Sequence, residues 1–258
     1  MATRDYSIPA KGDRWKIIKW SGLSGGDTGQ PYELAKFTNV SIHVKGTFNS
    51  GTLTIQGDNA LASPGWAALN DAQGNALAFT AEKIERLLEN VHQIRPSVSS
   101  LLVENCEDAW NEQAGTGVTS ELDAVDFKVG SGSAKFTCLA STGLEIIGSE
   151  IINVASLADY THIGMWIKSN VALDAGDLQL LLDNSALCAS PLETLDIPAV
   201  AADTWTWVTM ALSNPAAALS LISVGLKQAV DRGAMIVRLD GICAIVVTDL
   251  SVYIKVED

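Results

Sequence analysis

Two tryptophans two residues apart, Trp205 and Trp207, are the side chains most suited to binding chemistry. On a strand, residues i and i+2 share a face, so both indoles would stand together while Thr206 and Val208 take the opposite side. Indole rings stack on the C–H faces of sugars. If the shared face looks to solvent the pair is a platform; if it looks inward the pair fills a core. Trp110, in a loop-like segment, is a third candidate ligand contact. Trp15 and Trp20, ahead of the Gly-rich residues 22–31, are candidates for attachment to a partner surface, or else core.

Catalytic groups are harder to find. The three histidines, His43, His92 and His162, lack a second histidine at metal-ligand spacing. No G-x-S-x-G elbow, phosphate-binding loop, H-E-x-x-H or dinucleotide fingerprint is present. Spacing does not decide whether two of the 30 acidic residues form the carboxylate pair of a glycoside hydrolase. The expectation is a protein that binds without cutting, not an enzyme.

Composition narrows the partners. A formal net charge of −13 repels phosphate backbones and anionic membranes, so nucleic acid is not expected. No stretch reaches the roughly 18–20 apolar residues of a membrane helix, and the first residues lack the apolar centre of a signal peptide. No membrane insertion and synthesis in a cytoplasm are the expectations. Cys106, Cys138, Cys188 and Cys243 lie far apart, which suits buried thiols rather than a zinc site or a disulfide scaffold.

The elements that must position these residues read as strands. Val40, Ile42 and Val44 alternate with Ser41, His43 and Lys45; Leu53 and Ile55 alternate with Thr52, Thr54 and Gln56. Period two means half-buried strands, with residues 47–51 as a hairpin turn between them and 71–75 as a second. Residues 80–91 put Ile84, Leu87, Leu88 and Val91 on one helical face, with Thr80 as cap, or equally form a short turn of helix running into a strand. Residues 94–98 read as an edge strand, because Pro96 cannot donate to a ladder. After residue 100 a second series begins, including 134–138, 163–168, 178–182, 205–212, 221–226, 235–239, 242–247 and 252–256. Many short strands between Gly, Asn, Asp and Pro clusters predict an all-β chain. The expected division is a β-sandwich or barrel-like module over 1–100 and a β-jelly roll over 101–258.

Residues 103–110, the G-S-G-S-A-K-F run at 130–136, Trp166-Ile167-Lys168-Ser169, Trp205–Val208 and Arg238–Ile242 resemble the strand order of galactose-binding-like jelly rolls, the fold of many carbohydrate-binding modules. That resemblance implies a structural calcium ion joining the opening acidic segment to the glycine-serine turn and a late aspartate. The matching positions are Glu104, Glu107, Asp108, the segment around Ser131, and Asp240. Calcium takes six to eight oxygens, which separate segments of this kind can supply. Without a metal the same acids form a solvated face.

Residues 20–34, 51–59, 72–81 and 94–98 are similar to small β-proteins of tailed-bacteriophage particles. This implies a virion protein of the capsid-decoration or head-fibre type, made in the host cytoplasm. Its partners would be the major capsid protein or other virion proteins, in a homo-oligomer, and possible host surface glycans. A tail or baseplate component and a glycan-binding adhesin module are the alternatives.

Overall fold

The structure, a computed structural model, describes residues 2–34, 39–49, 51–59 and 65–257. The protein is all-β: among the described residues the helical turns are two 3-10 segments, Ala186–Cys188 and Pro215–Ala217. It divides into two compact units, Met1–Ser100 with Ile245–Asp258, and Leu101–Ala244.

In chain order the first unit holds β1 (Thr3–Arg4), β2 (Tyr6–Gly12), β3 (Trp15–Leu23), β4 (Thr28–Gly29), β5 (Tyr32–Glu33) and β6 (Asn39–Thr47). It continues with β7 (Leu53–Asp58), β8 (Ala67–Ala68), β9 (Ala78–Phe79), β10 (Lys83–Arg86) and β11 (Gln93–Val98). From the junction onward run β12 (Ser100–Glu104), β13 (Gln113–Ala114), β14 (Val118–Asp123), β15 (Ser133–Cys138), β16 (Ile146–Ser156) and β17 (His162–Ser169). Then come β18 (Leu178–Asp183), β19 (Glu193–Asp196), β20 (Thr206–Ala211), β21 (Leu219–Gln228) and β22 (Met235–Ile245). The last strand, β23 (Asp249–Glu257), belongs to the first unit.

The first unit is a two-sheet sandwich. One sheet has the order β1-β4-β11-β7-β8, with β5 also on β11 and β9 on β7; the other has the order β10-β6-β23-β3-β2. The alternation of Val40, Ile42 and Val44 turns those side chains inward, where they meet Ile18, Trp20, Val252 and Ile254 and the facing Leu53, Ile55 and Ile94. Because β23 lies between β6 and β3, the expected second module over 101–258 is too long at its C-terminal end. Those closing residues complete the first unit's sheet instead. The alternating Leu250, Val252, Ile254 and Val256 are all buried there.

Three local expectations are also corrected. Residues 80–91 are not a helix: β10 pairs antiparallel with β6, from Lys83 opposite Val44 to Arg86 opposite Ser41. The open backbone edge of β6 takes a strand partner, and tertiary pairing overrides helical propensity. Ile84, expected on a buried helix face, is 64% exposed. Residues 47–51 do not close a hairpin, since β6 and β7 lie in different sheets; of that turn, Ser50 lies outside the described residues. Nor is β11 an edge strand. It pairs with β7 on one side and with β4 and β5 on the other. Pro96 falls between the stretches that pair with β5 and with β4, where its missing N–H breaks no ladder. Gly29 packs on that ring: a Cβ at Gly29 would lie 2.5 Å from Pro96 Cδ.

The second unit is likewise two sheets around one core. The first has the order β14-β15-β22-β17-β20, with β12 on β22, and the second the order β13-β16-β21-β18-β19. Phe136, Ile163, Met165, Val237 and Leu239 of the first meet Leu180, Leu182, Val224 and Leu226 of the second. All four cysteines are free and buried, and burial raises the Cys138 thiol to about 11.

Candidate functional site

Inward and outward positions of the β14-β15-β22-β17-β20 sheet follow from period two. Ile163, Met165 and Ile167 of β17 and Val208 and Met210 of β20 are in the core. Trp166 and Trp207, at the alternate positions, therefore stand on the outward face, directly opposite one another in the antiparallel register. Both are half-buried. Their ring centroids are 5.6 Å apart at 63°, an edge-to-face pair rather than a flat one. Non-hydrogen-bonded and hydrogen-bonded cross-strand neighbours of this kind are the contact unit of a sheet, so the pair is set by register, not by loop geometry.

The same face carries a chain of charged side chains. From Lys135↔Arg238 in the β15–β22 register it follows that both are outward. Lys135 pairs with Glu121 at 2.7 Å, and Arg238 with Asp123 at 2.9 Å and Asp126 at 3.6 Å. Asp126 also accepts from Lys168 Nζ at 2.8 Å and, through Oδ1, from the indole Nε1 of Trp205 at 2.7 Å. Burial alone would raise the Asp126 carboxyl. The bonds from Lys168 and Trp205 and the charges of Lys168 and Arg238 outweigh it and hold the group below the ordinary aspartate value.

Residues 124–132 form the loop that presents Asp126. Its backbone is tied down at several points: Asp123 Oδ1 accepts from the amides of Val125 and Asp126, and Ser133 Oγ donates to the Asp126 carbonyl. Further on, Asp240 Oδ2 accepts from the amides of Lys128 at 2.6 Å and Val129 at 2.8 Å. Glu107 Oε1 accepts from the Ser131 amide at 2.8 Å. The loop so held places Lys128 Nζ 5.0 Å from the Trp166 ring centroid, within cation–π range.

The residues singled out from sequence are distributed as follows. Trp205 and Trp207 do face the same side, but Trp205 precedes β20 and its indole is committed to Asp126. Trp110 is not a ligand contact: it is fully buried and packs edge-on against Phe136 at 5.6 Å. Trp20 is not an attachment residue: it too is fully buried, with its Nε1 donating to the Gln30 carbonyl. Trp15 stays exposed, at 36%, on the β2–β3 hairpin. Trp166, Asp126 and Lys128 are the residues that sequence reasoning missed. The apolar alternation of Ile163, Met165 and Ile167 is the signal that places Trp166 outward.

For a cation, the gathering is partial. Asp240 is fully buried, and its Oδ1 has no hydrogen-bond partner. Burial first, and then the charge of Glu107, raises its carboxyl above the ordinary value. Gly130 takes φ +68°, a backbone conformation that favours glycine, and an added Cβ would overlap Glu107 Oε1. Asp240 and Glu107 thus hold one loop through its amides, and the second Asp240 oxygen is left without a partner. Glu104 instead turns to the amide of Cys106, and Asp108 is exposed. Among the described residues no three His, Cys, Asp or Glu side chains converge on a metal position.

No family model and no curated protein matches the chain. Among solved structures, a family 29 carbohydrate-binding module complexed with mannohexaose is 11% identical over 57% of this chain and 91% of that one, with a TM-score of 0.35. The CBM22-1 xylan-binding domain from Paenibacillus barcinonensis Xyn10C is 17% identical over 58% and 97%, with a TM-score of 0.32. The family 30 module of a cellulosomal cellulase of Clostridium thermocellum is 12% identical over 56% and 95%, with a TM-score of 0.37. Likeness at that level assigns neither a family nor a ligand to this chain.

Proposed function

We propose that this is a non-enzymatic binding protein whose Leu101–Ala244 unit takes a glycan on the outward face that bears Trp166 and Trp207. The observation that carries the reading is the cross-strand indole pair on a solvent-facing sheet, edged by hydrogen-bonding groups of residues 124–132. Indole faces take the C–H side of a sugar ring, and the charged rim takes its hydroxyls. The side chains gathered there are held by one another, which suits recognition more than proton transfer. Glycan-array binding by the full chain, read together with quenching of tryptophan fluorescence, tests it. Binding lost in Trp166→Ala supports the reading; an array blank for every glycan class contradicts it.

In the same reading a structural cation would be held by Asp240 and Glu107, supported by the unpartnered Asp240 Oδ1. It would fix the loop that carries Asp126 and Lys128. The setting implied by the sequence resemblance is a phage particle, with the first unit attached to capsid or other virion proteins as an oligomer. Mass spectrometry of purified particles checks that setting, and absence of the chain from them would rule it out.

A further inference from the structure

The Leu101–Ala244 unit is acidic, with eighteen Asp and Glu residues against six Lys and Arg. Yet four of its six cations, Lys128, Lys135, Lys168 and Arg238, lie on or over the one outward face that holds Trp166 and Trp207. Three of the four are already matched by carboxylates of that face: Lys135 by Glu121, Lys168 by Asp126, and Arg238 by Asp123. Lys128 differs. Its ammonium is exposed, sits over the Trp166 ring, and has no carboxylate within ion-pair distance among the described residues. Its position is set by its own backbone amide, held by the buried Asp240 at 2.6 Å.

We infer that the ligand is an acidic glycan, and that Lys128 pairs with the carboxylate of a uronic or sialic acid residue resting against the Trp166–Trp207 pair. This deepens the glycan-binding reading of the same face and rests on it. A neutral sugar would gain nothing from a cation at the platform that a hydroxyl or amide could not supply. A sugar carboxylate leaves the pyranose ring near its edge, so a ring resting against the two indoles beside Lys128 would bring that group to a cation held 5.0 Å from the Trp166 centre. The surrounding negative field sets a second limit. It repels a chain charged at every ring, so the fitting ligand carries isolated acidic residues among neutral ones. His162, further along the outward side of β17, adds no fixed charge, because burial lowers its imidazole below the usual value.

The test uses the full chain and three pairs of oligosaccharides, bearing one glucuronic, one galacturonic or one sialic acid, each beside its carboxyl-reduced counterpart. At least one acidic member should bind about tenfold more tightly than its reduced partner, the value of one charge-assisted hydrogen bond. Lys128→Gln should erase that ratio by bringing the acidic member down to the level of its reduced partner, and Lys128→Arg should retain it. Equal affinities within all three pairs, with binding still dependent on Trp166, would overturn the acidic ligand and leave the glycan reading standing. A ratio untouched by Lys128→Gln would also overturn it. No binding of either member in any pair would also overturn the acidic ligand, while the glycan array decides the glycan reading by itself.

Discussion

Gly164 lies directly beneath the Trp207 indole: a Cβ on Gly164 would come within 2.4 Å of Trp207 Cζ2. A glycine in the middle of β17 is unfavourable for a strand, but here it lets the neighbouring indole lie down across the sheet instead of standing off it. The tilt of Trp207 toward Trp166 therefore depends on a missing side chain.

Gly164→Val should displace the Trp207 ring and weaken ligand binding far more than it weakens the fold. Overpacking of this kind costs about 1–3 kcal/mol. Denaturant melts beside binding titrations check it. Unchanged affinity in the folded variant would show that the ring position does not matter.

The Glu150 carboxyl on β16 is pushed up to about 7, first by burial and then by the charges of Asp108, Glu104 and Glu112, against the Ile151 amide that favours ionisation. Between the ordinary glutamate value and about 7 the unfolded chain has lost this proton and the folded one keeps it. Stability contributed by Glu150 therefore falls as pH rises through that window, and the loss is complete above it. Glu150→Gln should melt higher than the parent at pH 8 and level with it at pH 4. An equal offset at both pH values would place the effect elsewhere.

Because β23 pairs along its length with both β3 and β6, removing residues 249–258 should unfold the first unit. The deletion opens two interior edges at once and strips Val252 and Ile254 from the core. Limited proteolysis of the truncated chain should digest residues 1–100 and leave a resistant fragment within 101–244. Peptide 249–257 added in trans should restore protection. Equal resistance of both regions would contradict this.

Melting of the full chain in excess calcium and in excess chelator tests the shared cation at Asp240 and Glu107. A higher midpoint with calcium, lost in Asp240→Asn, is the expected result. Coincident midpoints would retire the cation.

Much of the architecture is legible in local pattern. Strands such as β6, β7, β15 and β17 announce themselves by period two, since each buries one face. What is not legible depends on distant partners. Residues 83–86 have helical spacing, and only the open edge of β6 makes them a strand. The membership of β23 is fixed by partners more than 200 positions away in sequence, beyond any local signal. β16 escapes notice because Ser149 and Glu150 interrupt its apolar run and its register against β21 shifts twice. At the site, the shared face of Trp205 and Trp207 can be read from spacing. The opposition of Trp166 and Trp207 needs the β17–β20 register, and the placement of Lys128 needs Asp240. Trp110 and Trp20 show the converse error, in which aromatic type suggests contact and the fold uses the bulk as core.

The central claim is that the Trp166–Trp207 face, and no other tryptophan-bearing surface, holds the ligand. Calorimetric titration of a glycan selected on the array into the parent, Trp166→Ala, Trp207→Ala and Trp15→Ala chains tests it most directly. The expected outcome is heat of binding for the parent and Trp15→Ala and none for the two face variants, all four melting as folded proteins. Undiminished binding in Trp166→Ala and Trp207→Ala would contradict the account.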